Sequence, residues 1–469
     1  MSYASDLFKG ISLSYDPIHG YIRFTANSGV PEGETAEQQL IDHPWVQRLR
    51  HIHQLQTAWW VFPSAEHTRF QHVLGAMHLA SRAVDCLYES LAKAVSDCPS
   101  RGYVESLMRM AALLHDVGHG PFGHFFDRHY LARYGLTHET LGAEIIRREL
   151  APLLRGIRRN PYSELAEGET LDPEHVALLI VRPRTDESDI PAWLRMLRSL
   201  FCGLYTVDNM DFVLRDAYMT GYSHRAFDLE RLLHYSFFSP KGLTIHERGL
   251  SSLVRFISVR AELFRTIYFH RTVRAIDLAL QDLFRDGADL LFPGNPLENL
   301  DEYLEFTESS LWSRIREWRR DTDPRVRAIG EGWQDLVQRK IEWKMVCERA
   351  IFFGREKSED MSVFSSEELF EAAVRSRLPQ QLKDIELRFD PPRHVHRPGT
   401  RAPAGGQNFL YDPSKETIES LDDRELFRQI PVSCRLCRIY AKDTRYRREI
   451  AQAMDDLIGG GGADDDTNM

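Results

Sequence analysis

No run of about 18 consecutive apolar residues occurs, so no segment is expected to cross a membrane as a helix. Cysteine is scarce. The six in 469 residues, Cys86, Cys98, Cys202, Cys347, Cys434 and Cys437, make no disulfide framework and read as reduced thiols of a cytoplasmic protein. Cys434 and Cys437 form a lone CxxC in an alternating, strand-like run, and without a second pair of ligands nearby they argue against a metal or redox centre. The first residues, MSYASDLFKGISLSYD, lack a charged stretch followed by an apolar one, so no signal peptide is expected. Excess positive charge is also missing. Lys+Arg is 59 and Asp+Glu is 69, a formal charge of −10 that excludes a global basic field for nucleic acid and leaves only local patches. No internal repeat is found.

What is present is ordinary for a globular chain: 43% hydrophobic and 27% charged residues, enough to bury a sizeable core. Helical periodicity dominates. Amphipathic runs begin near Leu74, from Val104 to His115, and over Leu141–Leu150, Val207–Tyr218, Leu253–Phe284 and Pro324–Arg349. Ser14–Phe24 and Leu243–His246 read as short strands. Past residue 350 the pattern shifts to β-type runs at Ile385–Phe389 and Cys434–Tyr440, separated by a Pro/Gly/His/Arg-rich loop, Pro391–Gly406. The expectation is a mainly α protein: a helical core over 1–350, a smaller mixed α+β lobe over 351–458 and a disordered tail over 459–469.

The densest chemical signal is AALLHDVGHGPFGHFFD, residues 111–127. An apolar helix ends in His115-Asp116, and Gly118, Gly120, Pro121 and Gly123 break it. His119, His124 and Asp127 sit in the break. Such groups beside a core helix need partners or a metal when buried. Neighbouring positions project about 100° apart on a helix, yet His115 and Asp116 can both reach one ion at its end. Further ligands must come from elsewhere, with His72 in HTRFQHVLGAMH and Asp208 in LYTVDNMDFVLRD as candidates. Two imidazoles and two carboxylates suit a divalent ion, Mn, Fe, Ni, Mg or Zn, without choosing among them. An open coordination position is what a hydrolytic metal needs.

The order His72, His115-Asp116, Asp208, with HDVGHGPFGHFFD intact, resembles the HD superfamily of metal-dependent phosphohydrolases. YDPIHGYI (15–22), LIDHPWVQRLRHIHQL (40–55), WVFPSAEHTRFQHVLGAMHLA (60–80) and VDNMDFVLRDA (207–217) extend the likeness to its dNTP triphosphohydrolase branch. The resemblance covers roughly 13–350, with an echo near 431–455, and no SAM domain of the kind some members carry is expected before it.

The resemblance implies an HD-domain helical core, with His72, His115, Asp116 and Asp208 as metal ligands and His119, His124, Asp127 and His138 at the reacting phosphate. An Asp127–His138 pair would keep that imidazole protonated, and His124 is the other candidate for protonating the leaving 5′ oxygen. Arg69 and Arg260 match phosphate-contacting arginines, a task their fork suits. Tyr268 matches a tyrosine on the deoxyribose, Asp216 a residue near its 3′-hydroxyl, and Gln54 and Leu55 residues beside the sugar. Asp42, Gln47 and Arg50 match residues that bind an activating guanine nucleotide at a subunit interface, which implies a guanine-nucleotide or dNTP activator and a homo-oligomer, with a tetramer favoured.

Three positions depart from the family pattern: Asn209 stands for a lysine, Phe212 for a tyrosine and Phe264 for a histidine. They favour the alternative of an HD phosphohydrolase acting on another nucleotide or an oligonucleotide. The basic, aromatic run 311–327 and the loop 391–401 motivate another alternative, a nucleic-acid-binding or nucleotide-sensing protein. A solvated helix face with two buried tryptophans explains the first run equally. Asp211 reads as the partner of Arg215 in an i,i+4 salt bridge, and His67 and His78 as ordinary helix or loop residues.

Overall fold

A computed structural model describes residues 10–182, 189–354, 359, 362–396 and 409–459. The chain opens with an antiparallel hairpin, β1 (Ile11–Asp16) and β2 (Gly20–Thr25). Its turn is held by Asp16, whose Oδ1 accepts the N–H groups of Ile18 and His19 at 2.9 Å each. Gly20 closes it at φ +72°, a conformation that favours glycine.

Two long helices form the centre: α1 (Arg69–Ala94) and α2 (Arg101–Leu114). The Gln71 side chain accepts the Thr68 N–H at 3.0 Å at the start of α1, and Ser100 Oγ accepts the Tyr103 N–H at 3.1 Å at the start of α2. Each such cap is worth about 1 kcal/mol. Val73, Met77, Ala80 and Val84 on α1 bury against Leu107, Met110, Ala111 and Leu114 on α2, the meeting of two 3.6-period stripes. The helices α3 (His124–His129), α4 (His138–Ile145) and α5 (Val207–Met219) lie around them, followed by α6 (Leu250–Leu263), α7 (Arg271–Asp286), α8 (Glu308–Trp318) and α9 (Pro324–Val337).

Two helical expectations need correction. Leu253–Phe284 is not one helix, because a π-helical turn, Phe264–Tyr268, separates α6 from α7. Pro324–Arg349 stops at Val337. Arg339 adopts φ +58°, and the alternating residues beyond it form β5 (Lys344–Phe353).

Two sheets complete the fold. β5 pairs antiparallel with β10 (Ser433–Ala441), which also pairs with β6 (Leu387–Asp390) and β7 (Arg393–Val395). With α10 (Glu367–Arg375) and α11 (Arg447–Ile458) this sheet encloses a small core that includes Val346, Phe370, Phe389, Ile439 and Met454. The second sheet runs β3 (Ser236–Ser239), β4 (Gly242–His246), β8 (Phe409–Asp412), β9 (Thr417–Ser420), with β4 and β8 parallel. Leu410, Leu421 and Phe427 therefore join the main helical core, not the small one. The architecture is mainly α with a mixed α/β C-terminal part.

Among the described residues, no helix is long and apolar enough to cross a membrane. The expected tail lies outside the described residues from 460 onward, as does the basic loop beyond 396. In the 311–327 run, Trp318 is buried and Trp312 packs on Trp60, Phe122 and Trp333, so its aromatic side faces the core. Cys434 and Cys437 are buried in β10, where burial pushes their thiols up to about 11 and about 12. That is the opposite of a reactive cysteine.

Candidate active site

The HD break is held open by its carbonyls. Buried Arg48 donates to the carbonyls of Val117 at 3.2 Å, His119 at 2.7 Å and Phe306 at 2.8 Å, and Tyr303 Oη donates to Gly118 O at 2.9 Å. Phe122 then takes φ +64°, rare for a bulky residue, anchored by its N–H to Glu308 Oε1 at 3.1 Å and by its ring against Trp333. Gly118 lies so close to α4 that an added Cβ would meet His138 O at 2.1 Å.

α1, α2 and α5 bring His72, His115, Asp116 and Asp208 together. His72 Nε2 lies 3.2 Å from His115 Nε2 and 3.1 Å from Asp208 Oδ1. His115 Nε2 lies 3.7 Å from Asp208 Oδ1 and 3.5 Å from Asp116 Oδ1. The tautomers follow from the outer partners. His115 Nδ1 faces the carbonyl of Ala112 at 2.8 Å, and His72 Nδ1 faces Asp211 Oδ2 at 2.8 Å. Both partners only accept, so each Nδ1 carries a proton and both Nε2 atoms face the carboxylates. His72 Nε2, His115 Nε2 and an Asp208 oxygen lie close enough together to fit a divalent cation, which would take the place of the proton on Nε2. Burial alone would lower the His72 pKa, but hydrogen bonds to Asp208 and Asp211 raise it to about 10. Asp208 is held below the usual carboxylate range against the effect of burial, by His115 and His72.

Behind the ligands lies a network that the local sequence did not disclose. Asp211 accepts from His72, from His19 Nε2 at 2.7 Å, and from Arg215 Nε and Nη2 at 2.9 Å each. Arg215 continues to Asp16 Oδ2 at 2.8 Å. Asp211 is thus more than an i,i+4 partner: it orients the His72 imidazole. YDPIHGYI was a signal for this, because its aspartate and histidine end in the network.

His119, His124, Asp127 and His138 form a second cluster. His138 Nδ1 and Asp127 Oδ2 are 2.5 Å apart. His119 is fully buried, stacks on His138 with centroids 3.7 Å apart, and leaves both ring nitrogens without a hydrogen bond. Burial, then Arg69 and His138, lowers its pKa to about 4. The His138 pKa moves the other way, because Asp127 outweighs the effect of burial. The His124 side chain is 70% exposed.

Arg69 Nη1 donates to Asp116 Oδ2 at 2.6 Å, and Arg69 Nε has no partner. Beside it opens a cavity of about 430 Å³, with Gln54, Leu55, His124, Phe212, Asp216 and Tyr268 on its wall. Tyr268 Oη and His67 Nε2 hold the two Asp216 oxygens. Phe264 also lines the cavity and stacks on His394, centroids 4.0 Å apart. Arg260 stands differently. Its Nη groups donate to the carbonyls of Leu204 and His396 at 3.0 Å each, and it does not line the cavity. Asp42, Gln47 and Arg50 lie outside the cavity as well. Gln47 Nε2 donates to Ile41 O and Arg50 Nε to Gln47 Oε1, both at 2.8 Å.

Residues 69–192, which carry His72, His115 and Asp116, match the HD domain family. The chain therefore carries an HD domain. Several relatives share this HD core. The chain is 26% identical over 416 residues to the uncharacterized protein YwfO of Bacillus subtilis, covering 85% of this chain and 84% of that one. It is 31% identical over 300 residues to the deoxynucleoside triphosphate triphosphohydrolase SAMHD1 of Bos taurus, 58% of this chain and 47% of that protein. The Homo sapiens protein of that name is 26% identical over 409 residues, 80% of this chain and 60% of the human one. The chain thus spans about half of the bovine relative. A hypothetical protein from Aquifex aeolicus has a similar structure, with a TM-score of 0.66 and 25% identity over 95% of this chain and all of that one.

Proposed function

We propose that this protein hydrolyses deoxynucleoside triphosphates to deoxynucleoside and inorganic triphosphate. The observation that carries the reading is the continuity of the donor cluster, through Arg69, with a cavity bearing the Tyr268–Asp216 pair. His72, His115, Asp116 and Asp208 would hold a divalent cation. Its chemistry, when bound, is polarisation of a phosphoryl oxygen and acidification of water.

The remaining work falls to the chain. Water adds to the α-phosphorus, the P–O5′ bond breaks, and a proton goes to O5′. Arg69, steadied by Asp116, donates to phosphate oxygens. His124 stands on the cavity wall and supplies the proton. His138, paired with Asp127, keeps positive charge behind it. Tyr268 packs on the sugar, whose 3′-hydroxyl meets Asp216, with Gln54 and Leu55 beside it. Asp42, Gln47 and Arg50 would take an activating guanine nucleotide or dNTP in a homo-oligomer.

A second reading has its own support. Arg260 is committed to backbone carbonyls, and Phe212 and Phe264 offer no charge. These features weaken the hold on a triphosphate and favour another nucleotide phosphoester. A substrate panel separates the two. Purified protein with Mn²⁺ is given each dNTP, the dNTP mixture, ribonucleotides, cyclic nucleotides and oligonucleotides. Inorganic triphosphate from dNTPs, lost in Asp116→Asn, supports the first reading. Cleavage confined to the other substrates sinks it.

A further inference from the structure

The cavity does not end at the sugar pair. It continues to a wall made by α3, α7 and the C-terminal lobe, where Phe125, Phe269 and Phe389 give it an aromatic lining. Two of the carboxylates there are already engaged. Asp277 accepts from Gln56 at 2.9 Å, Thr57 at 2.6 Å and Arg274 at 2.9 Å, and Asp390 accepts from Arg274 at 2.6 and 3.1 Å. Arg393, nearby, pairs with Glu359 at 2.8 Å. Three lining groups, Arg128, Gln281 and Glu367, have no hydrogen-bond or ion-pair partner among the described residues. His129 beside them is held neutral by burial and stacks on Phe125, centroids 4.2 Å apart.

One uncompensated cation among aromatic rings is poor for a triphosphate and well suited to a planar, uncharged, hydrogen-bonding group. Arg128 offers only donors, while Gln281 and Glu367 can accept. We infer that Arg128, Gln281 and Glu367 read the nucleobase, favouring guanine, which sets the acceptors O6 and N7 beside the donors N1–H and N2–H, over adenine. Arg128 supplies the fork that matches O6 and N7 of guanine. This rests on the reading of the protein as a dNTP hydrolase.

The test is calorimetric binding of dNTP analogues with a methylene in place of O5′, which cannot be cleaved there, to the full metal-loaded chain. The guanine analogue is expected to bind about tenfold more tightly than the adenine analogue, a ratio that one good bidentate contact supplies. In Arg128→Ala the ratio falls to about one, and Gln281→Ala narrows it. Equal binding of all bases by the native chain, or an equal loss for all bases in Arg128→Ala, overturns the inference. A base preference without turnover of any dNTP leaves the inference standing and removes the hydrolase reading. Turnover without base preference does the reverse. No binding at all removes both.

Discussion

Asp211 sits four positions before Arg215, and from the sequence that spacing says only that one helix face carries an ion pair. Its other partners, His19 and His72, lie 192 and 139 positions away, a distance no local pattern reports. Hydrogen-bond partners behind a metal ligand tune its affinity. Asp211→Asn is therefore expected to weaken metal binding by about 10–100-fold, read by titration of the purified variant. An unchanged affinity would mean His72 does not depend on Asp211. That His115 and its neighbours would lie in a polar cluster was legible, because HDVGHGPFGHFFD concentrates costly polar groups beside an apolar helix. The carbonyls that engage Arg260 were not, since they belong to Leu204 and His396, far off in sequence. His78 gives a pH prediction. Burial, then His19 and Arg82, lowers its pKa to about 4, so the folded state keeps it neutral. The unfolded chain takes up that proton near the ordinary value of about 6.5, so stability falls as pH drops from there toward 4. His119 and His129, also lowered to about 4, add to the slope, while the raised values of His53 and His138 change stability only above about 6.5, outside this window. Denaturant melts of His78→Gln between those pH values should show a shallower slope than the native chain. An equal slope would contradict the assignment.

At the scale of elements, the helices that position the site were legible from 3.6-residue stripes. The π-turn at Phe264–Tyr268 was not, because a single widened turn leaves the apolar periodicity of its flanks intact. Nor was β5, whose alternating residues directly continue a helical run. The approach of α1 to α5 depends on Gly75. A Cβ there would meet Asp211 Oδ1 at 1.9 Å and Arg215 Nη2 at 2.3 Å, inside a buried network with no room to yield. Gly75→Ala should destabilise the fold by about 1–3 kcal/mol and weaken metal binding together, measured by denaturant melts and metal titration. Loss of neither would show that the helices can part freely. Arg48 holds the HD break from the other side. Arg48→Met strands several buried carbonyls and should cost at least about 3 kcal/mol in the same melts.

For the whole molecule, the C-terminal residues matter more than their sequence suggests. The parallel pairing of β4 with β8 joins Thr244 to Phe409 across the chain, and the Arg274–Asp390 pair seals the C-terminal lobe to α7 beside the cavity. Short β runs announced strands there but not which sheet each would enter, since pairing is decided by distant partners. The donor cluster likewise ties three helices that are separate in sequence. A cation bound only by the folded state stabilises it, by about 2.7 kcal/mol at a hundredfold excess over Kd, so a chelator should lower the melting midpoint by several degrees. The most direct test of the account is hydrolysis of a dNTP in ¹⁸O-labelled water by the Mn²⁺-loaded protein, with both products weighed by mass spectrometry. Attack at the α-phosphorus predicts unlabelled deoxynucleoside and inorganic triphosphate carrying one ¹⁸O. Label in the deoxynucleoside, release of labelled monophosphate or pyrophosphate instead, or no turnover at all would contradict it.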